Sequence, residues 1–536
     1  MKCLHPTQFH KILAEKITKA EMWAFLFGTL AMLLLYFQTI AGEFYCGDGN
    51  LCGSIYRPSV DYEWEEVCGR FLIRYVAKIR SLFIFGPLTV IISFLFVILG
   101  TLLICRLLRI DGVIAKVVSI LTVILYPVFA DTLTYRFTAD SYMLSFLLAA
   151  IAVWIFWEKQ NVWRGIVAAI LLLAVLNLYQ AYFFLAPALW VALFIRDLLT
   201  VQNAESSLTD KAVVKRSFLK LVFAGAASVI SMILYFIMVK TMSPYTSRLE
   251  YSTSIDLKAL PGQTGEAYLG FFRIFIGDAA INNSWRHRGT VNLVLLIIGV
   301  LLVGWLLYRR KKSKLTCLGA GIAVLILPVF VNGISILNFG TVTLIMLPTM
   351  VLPYLFLLSV WEAVKREADR SEKRDVLTAV AGWTIWGALA YILVVMVVYM
   401  GIYQMVQNYY AEKTHNLAQR IVTSLEMTYP EINSQCYVFI YGGVNNDNQP
   451  EPYTITMAGF TLRGTLAHQQ FNENVQGYTA WNKILEERMG VSYKMYGIAD
   501  MEEYIQSDEF KELPIYPQEG SVHKIREGCY FVKLRQ

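Results

Sequence analysis

The chain has 536 residues, 56% of them hydrophobic and only 16% charged, with a formal net charge of +7. Soluble globular proteins carry roughly a quarter charged residues, and apolar runs long enough to cross a hydrocarbon core of about 30 Å recur here. This excludes a soluble enzyme and points to a polytopic α-helical membrane protein, whose surplus basic charge sets topology and implies no nucleic acid.

In chain order, about eleven spans are expected, near 22–41, 82–105, 117–131, 139–157, 165–178, 182–198, 217–239, 290–308, 315–333, 342–362 and 377–402. The first follows a leader with Lys2, Lys11, Lys16 and Lys19 and is itself of spanning length, so it reads as a membrane helix and not a cleavable signal. Lys and Arg then gather in alternate connections: Arg106, Arg109 and Lys116; Lys159 and Arg164; Arg196, Lys211, Lys215 and Arg216; the run RRKKSK at 309–314; and Lys365, Arg366, Arg370, Lys373 and Arg374. The short connections between them hold almost none, Arg136 apart. This alternation predicts a cytoplasmic N-terminus and a C-terminus outside the cell. It also puts two long loops, 41–81 and 240–289, on the outer face. The turn at Tyr179-Gln180 is tight, and unpaired backbone is costly in lipid, so it is expected inside the bundle.

Residues 1–403 therefore form the membrane part. From Gln404 the composition turns polar, and helix-like stretches alternate with the strand-like runs CYVFIYGG and CYFVKL. Residues 404–536 are long enough for a small extracytoplasmic α/β domain. Cys436 and Cys529 open its two strand-like runs, either as a disulfide or as two buried thiols.

No phosphate-binding glycine loop, HExxH motif or paired CxxC is present. Chemistry then falls to outer-face carboxylates, arginines and aromatics. The loop 41–81 reads AGEFYCGDGNLCGSIYRPSVDYEWEEVCGRFLIRYVAKIRS and holds Asp48, then Asp61, Glu63, Glu65 and Glu66. Arg70, Arg74 and Lys78 follow at spacings of four, which predicts one interfacial helix with three cations on a face. Such cations commonly do no more than anchor to headgroups, and acidic clusters commonly are only solvated. The short turn at 131–140 adds Asp131, Arg136 and Asp140, the last also suited to capping the following helix. Carboxylates facing cations at a membrane surface suit a lipid-phosphate substrate, the cations holding the phosphate and the carboxylate taking a proton.

The order of these features resembles the serotype-converting, Gtr-type O-antigen glucosyltransferases, integral-membrane enzymes of the GT-C class. The motifs that carry the resemblance are Gly47-Asp48, Gly53, Gly69-Arg70, Tyr126-Pro127 and Tyr179-Gln180, in an order of spans covering roughly residues 20–400. Where that family has two acidic residues this chain has Gly47-Asp48, which leaves the role to Asp48 or moves it to Asp61 and Glu63. The resemblance implies transfer of a glucosyl or other hexosyl group from a polyprenyl-phosphate sugar to a cell-surface glycan, at the outer face of a bacterial plasma membrane. It implies Asp48 as general base, and Arg70, with Arg74 or Arg136, as donor-phosphate ligands. Tyr179, Gln180, Asp61, Glu63 and Asp140 would contact substrate, and a divalent metal on Asp48 with Asp61 or Glu63 stays open. Two other readings share these features: a flippase or transporter of lipid-linked glycans, and a polysaccharide polymerase or ligase. Against the transporter, ionisable residues here crowd the outer face and not mid-membrane.

Overall fold

The computed structural model describes residues 17–42, 63–80, 86–158, 160–199, 210–242, 258–281, 284–338, 342–370, 376–442, 455–457, 460–461, 481, 484–495 and 501–534. Helical segments lie at the positions of all the expected spans. Among the described residues, seven stretches are long and apolar enough to cross a membrane: Gly86–Leu107, Ala139–Glu158, Gln180–Leu199, Asp210–Met242, Arg288–Arg309, Lys314–Val331 and Thr378–Thr428. Val113–Ile124 and Val162–Leu178 are apolar but shorter. Many of their large apolar side chains, among them Trp163, Leu301, Leu325 and Trp383, point out of the molecule. Such a surface is stable against lipid and not against water, and the chain is a membrane protein.

Two expected spans are broken by local chemistry. Near 117–131 the helix Val113–Ile124 ends and a second, Pro127–Thr132, begins with proline in its first turn, where the missing N–H costs nothing. Near 342–362 the chain makes two 3-10 turns, Leu344–Met346 and Pro348–Val351, before the helix Leu352–Arg370. Glycine lets helices meet closely. A Cβ on Gly100 would lie 2.7 Å from the Phe146 ring, which brings Gly86–Leu107 against Ala139–Glu158. The basic connections find carboxylate partners. Glu21, 6% exposed, takes Arg106 at 2.7 Å and Lys116 at 3.9 Å; Arg310 pairs with Glu367 at 2.8 Å and Arg366 with Asp111 at 2.7 Å.

The last long helix, Val376–Thr428, runs straight through the change of composition at Gln404, so that change falls inside a helix and not at its end. Beyond it, Leu417, Ile421 and Leu425 pack against Val438, Ile440, Tyr530 and Val532 of a four-stranded sheet. The strands lie in the order Lys494–Met495, Tyr437–Tyr441, Cys529–Lys533 and Val522–Arg526, the first three parallel and the last antiparallel. Cys436 and Cys529 are buried thiols with no bridge between them. A second sheet pairs Ala279–Ile281 with Ile455–Met457 and so ties the 240–289 loop to the C-terminal part.

Lys533, 2% exposed, ends the central strand and donates to the carbonyls of Phe510, Lys511 and Leu513 at 2.9, 3.1 and 2.9 Å. These are carbonyls at the C-terminal end of the short helix Asp508–Glu512, where helix carbonyls lack intrahelical partners; Phe510 also accepts the Leu513 N–H at 3.3 Å. Lys533→Met should cost about 1–3 kcal/mol by leaving them unsatisfied. Faster limited proteolysis of the C-terminal part is the readout; unchanged protection refutes the role.

Candidate functional site at Arg70

The short helix Glu63–Val67 ends at Gly69, whose φ of +73° is the left-handed conformation that glycine adopts without strain. The Gly69 N–H bonds to the Glu66 carbonyl at 2.9 Å and the Arg70 N–H to the Glu65 carbonyl at 2.8 Å, closing the turn. The next helix starts only at Ile73. Arg70 therefore precedes it and shares no face with Arg74 and Lys78, which corrects the single helix predicted from their spacing. A side chain at Gly69 would also strike the Tyr235 hydroxyl. Gly69→Ala should lower stability by roughly 1–2 kcal/mol for the left-handed backbone alone and shift Tyr235. A thermal-shift measurement equal to wild type would refute this.

Arg70 turns inward. Its Nη1 donates to Glu65 Oε2 at 2.7 Å and to the Tyr142 hydroxyl at 2.5 Å. Tyr142 comes from the helix Ala139–Glu158, and Tyr179 follows Val162–Leu178. Their rings stack at 4.0 Å with planes 9° apart. The Arg70 guanidinium carbon sits 4.7 Å from the Tyr179 ring centre and 5.3 Å from that of Tyr142, a cation–π arrangement that is strong where water is scarce. Arg70 Nε is buried with no hydrogen-bond partner.

Gln180 closes the back of the site. Its Nε2 donates to the Cys68 carbonyl at 2.8 Å and to the Tyr235 hydroxyl at 2.5 Å, while the Leu72 N–H bonds to the Asn177 carbonyl at 3.1 Å. The Tyr179-Gln180 turn is buried against the 63–80 segment, where unpaired backbone would otherwise face lipid. Arg70, Tyr179 and Gln180 are thus brought together.

The other expected residues stand apart from them. Arg74 is half exposed and 3.6 Å from Glu66, with no bond to Arg70. Arg136, 3% exposed, donates through Nη2 to the carbonyls of Thr39 and Gly42 at 2.8 and 2.7 Å. It thereby closes the end of the first helical segment, just where the chain enters the 41–81 loop. Asp140 pairs with Arg80 at 3.1 Å, both side chains 8% exposed, and accepts the Ser141 N–H at 2.9 Å; Arg80 also donates to the Phe137 carbonyl. Asp48 and Asp61 lie outside the described residues, as does the Glu63 side chain. Among the described residues no three His, Cys, Asp or Glu side chains gather as a metal site.

Sequence reasoning missed Glu65, Tyr142, Tyr235 and Arg80. Glu65 lay in the acidic cluster already noted, five residues before Arg70, but nothing singled it out from Glu63 or Glu66. Tyr142 and Tyr235 reach the site, and Arg80 reaches Asp140, only through tertiary contacts, and no local pattern marks them.

Residues 56–360, more than half of the chain, match the family described as Glucosyl transferase GtrII. The matched stretch contains Arg70, Tyr142, Tyr179 and Gln180 and begins after Asp48. No curated protein and no solved structure matches the chain.

Proposed function

We propose that this chain, which belongs to the glucosyl transferase GtrII family, moves a glucosyl group from a polyprenyl-phosphate donor to a cell-surface glycan at the outer face of the plasma membrane. The observation that carries the reading is Arg70, a guanidinium locked by a buried carboxylate and two stacked tyrosines at one end of an apolar bundle. A fixed cation in a partly dry site stabilises charge that develops on a leaving phosphate.

In this mechanism an acceptor hydroxyl oxygen attacks the anomeric carbon of the donor sugar, and the bond from that carbon to the phosphate oxygen breaks. The bonding pair goes to the phosphate, held by Arg70, and the hydroxyl proton goes to the Asp48 carboxylate. The free Nε edge of Arg70 suits a phosphate oxygen, and the stacked Tyr142 and Tyr179 rings suit the faces of a sugar or prenyl group. Outside the membrane nucleotide sugars are absent, so a lipid must deliver the sugar.

Glycan analysis of host cells with and without the gene tests the reading. Loss of one side-branch glucose supports it; an unchanged glycan, or loss of the whole polymer as for a polymerase or flippase, overturns it. The orientation has its own test. A cysteine placed at Asn448 should react with an impermeant maleimide in intact cells, and labelling only after lysis would reverse the topology.

A further inference from the structure

A second buried cation is not used by the mechanism above. Arg288 opens the helix Arg288–Arg309 and is 1% exposed, among the largest fully buried side chains described. Its Nη1 donates to the Gly277 carbonyl at 2.7 Å. Its Nε and Nη2 are buried and have no hydrogen-bond partner. No carboxylate among the described residues reaches the guanidinium. Asp278, the nearest in sequence, accepts the Gly289 N–H at 2.6 Å instead.

The phenols of Tyr126, Tyr354 and Tyr399 surround Arg288, those of Tyr126 and Tyr354 within reach of a poorly aligned hydrogen bond that leaves Nε and Nη2 unsatisfied. Tyr354 donates to Asn292 Oδ1 at 2.8 Å, while the buried Tyr399 hydroxyl has no partner and the buried Tyr126 hydroxyl has no well-aligned one. Tyr126 immediately precedes the helix Pro127–Thr132, and that segment leads on to Arg136 and Asp140. The same stretch goes on to Tyr142, the partner of Arg70, so one short stretch of chain carries a residue of each cluster.

Nε and Nη2 form one straight edge of a guanidinium, the edge that grips two oxygens of a single oxyanion. A buried cation left without a counter-charge is costly, and it persists where a ligand supplies one. The Arg288 backbone also sits at the start of a long helix, where the dipole favours an anion. The buried hydroxyls of Tyr126 and Tyr399 near the guanidinium add donors for further oxygens.

We infer that Arg288, with Tyr126 and Tyr399, forms a second oxyanion site that binds a phosphate group. Its position rests on the reading of the chain as an enzyme of phosphorylated lipids, but its chemistry does not. A released polyprenyl phosphate and free inorganic phosphate present the same oxygens, and the two are separable by experiment.

The full-length protein, purified in detergent, is titrated with farnesyl monophosphate or with inorganic phosphate, and its melting temperature and intrinsic tryptophan fluorescence are followed. Wild type should show a saturable shift. Arg288→Gln should weaken it by about tenfold or more, as expected for loss of a charge-assisted pair, and a component of the shift should survive in Arg70→Gln. Tyr399→Phe removes a hydroxyl that bonds to nothing in the unliganded protein. It should melt no lower than wild type yet bind a few-fold more weakly. A response to inorganic phosphate assigns the site to the free ion, and a response to farnesyl monophosphate alone assigns it to a lipid headgroup. Absence of any shift in wild type, or equal affinity in Arg288→Gln, overturns the site. If Arg288→Gln fails to fold, equal affinity in both Tyr399→Phe and Tyr126→Phe overturns it. Absence of glucosyl transfer by wild type would instead strike the proposed function and leave this binding result standing.

Discussion

Arg70→Ala should lower glucosyl transfer by about 10²–10³-fold, the usual loss when one preorganised charge is taken from a developing oxyanion. Two effects enter that number and can be separated. The substitution removes the cation that faces the leaving phosphate, and it leaves Glu65 buried without its partner 2.7 Å away. An unpaired buried carboxylate destabilises by about 3–5 kcal/mol, so protein level and melting temperature must be measured with activity. Pairing Arg70→Ala with Glu65→Gln relieves the stranded charge: stability should recover and transfer should not. Arg70→Lys keeps the charge but loses the planar group that lies over Tyr179 and Tyr142, so it should rescue transfer only in part. Transfer at the wild-type rate in a stable Arg70→Ala protein would remove Arg70 from the phosphate-binding role.

The other large effect is expected at Asp48. A general base contributes about 10²–10⁴-fold, and Asp48→Asn keeps size and polarity while abolishing proton acceptance. Glycan modification should fall by that factor with membrane insertion unchanged. If it does not, Asp61→Asn and Glu63→Gln are the next variants, since both belong to the same loop. Loss only on changing Asp61 or Glu63 would move the base to them.

The positions of the seven membrane-length apolar helices were legible because such a helix announces itself through twenty or so apolar residues, whatever its neighbours do. The breaks at Tyr126-Pro127 and before Leu352 were half legible, since proline marks both, but whether it kinks a helix or starts a new one depends on what packs around it. Arg70, Tyr179 and Gln180 stood out as polar residues among apolar segments. Their partners did not. Glu65 competes with three near-identical carboxylates, and Tyr142 sits in a helix where tyrosine needs no explanation. The period-four spacing of Arg70, Arg74 and Lys78 misled, because Gly69 takes a left-handed turn and the helix begins three residues later than the cations do. Arg288 lies at the end of the 240–289 loop, and nothing in the sequence singled it out. Its burial and its bond to the Gly277 carbonyl are tertiary features that no local pattern marks.

The helix Val376–Thr428 carries a mechanical consequence. At about 1.5 Å of rise per residue, its 53 residues make a rod of about 80 Å, with no proline to act as a joint. One end grips the sheet through Leu417, Ile421 and Leu425. Partway along, Tyr403 donates to Asp131 at 3.1 Å, one turn from Tyr399 beside Arg288. Between the sheet and Tyr403 the helix is continuous, with no break among its residues. The packing of the sheet and the placement of Tyr399 thus depend on one and the same helix.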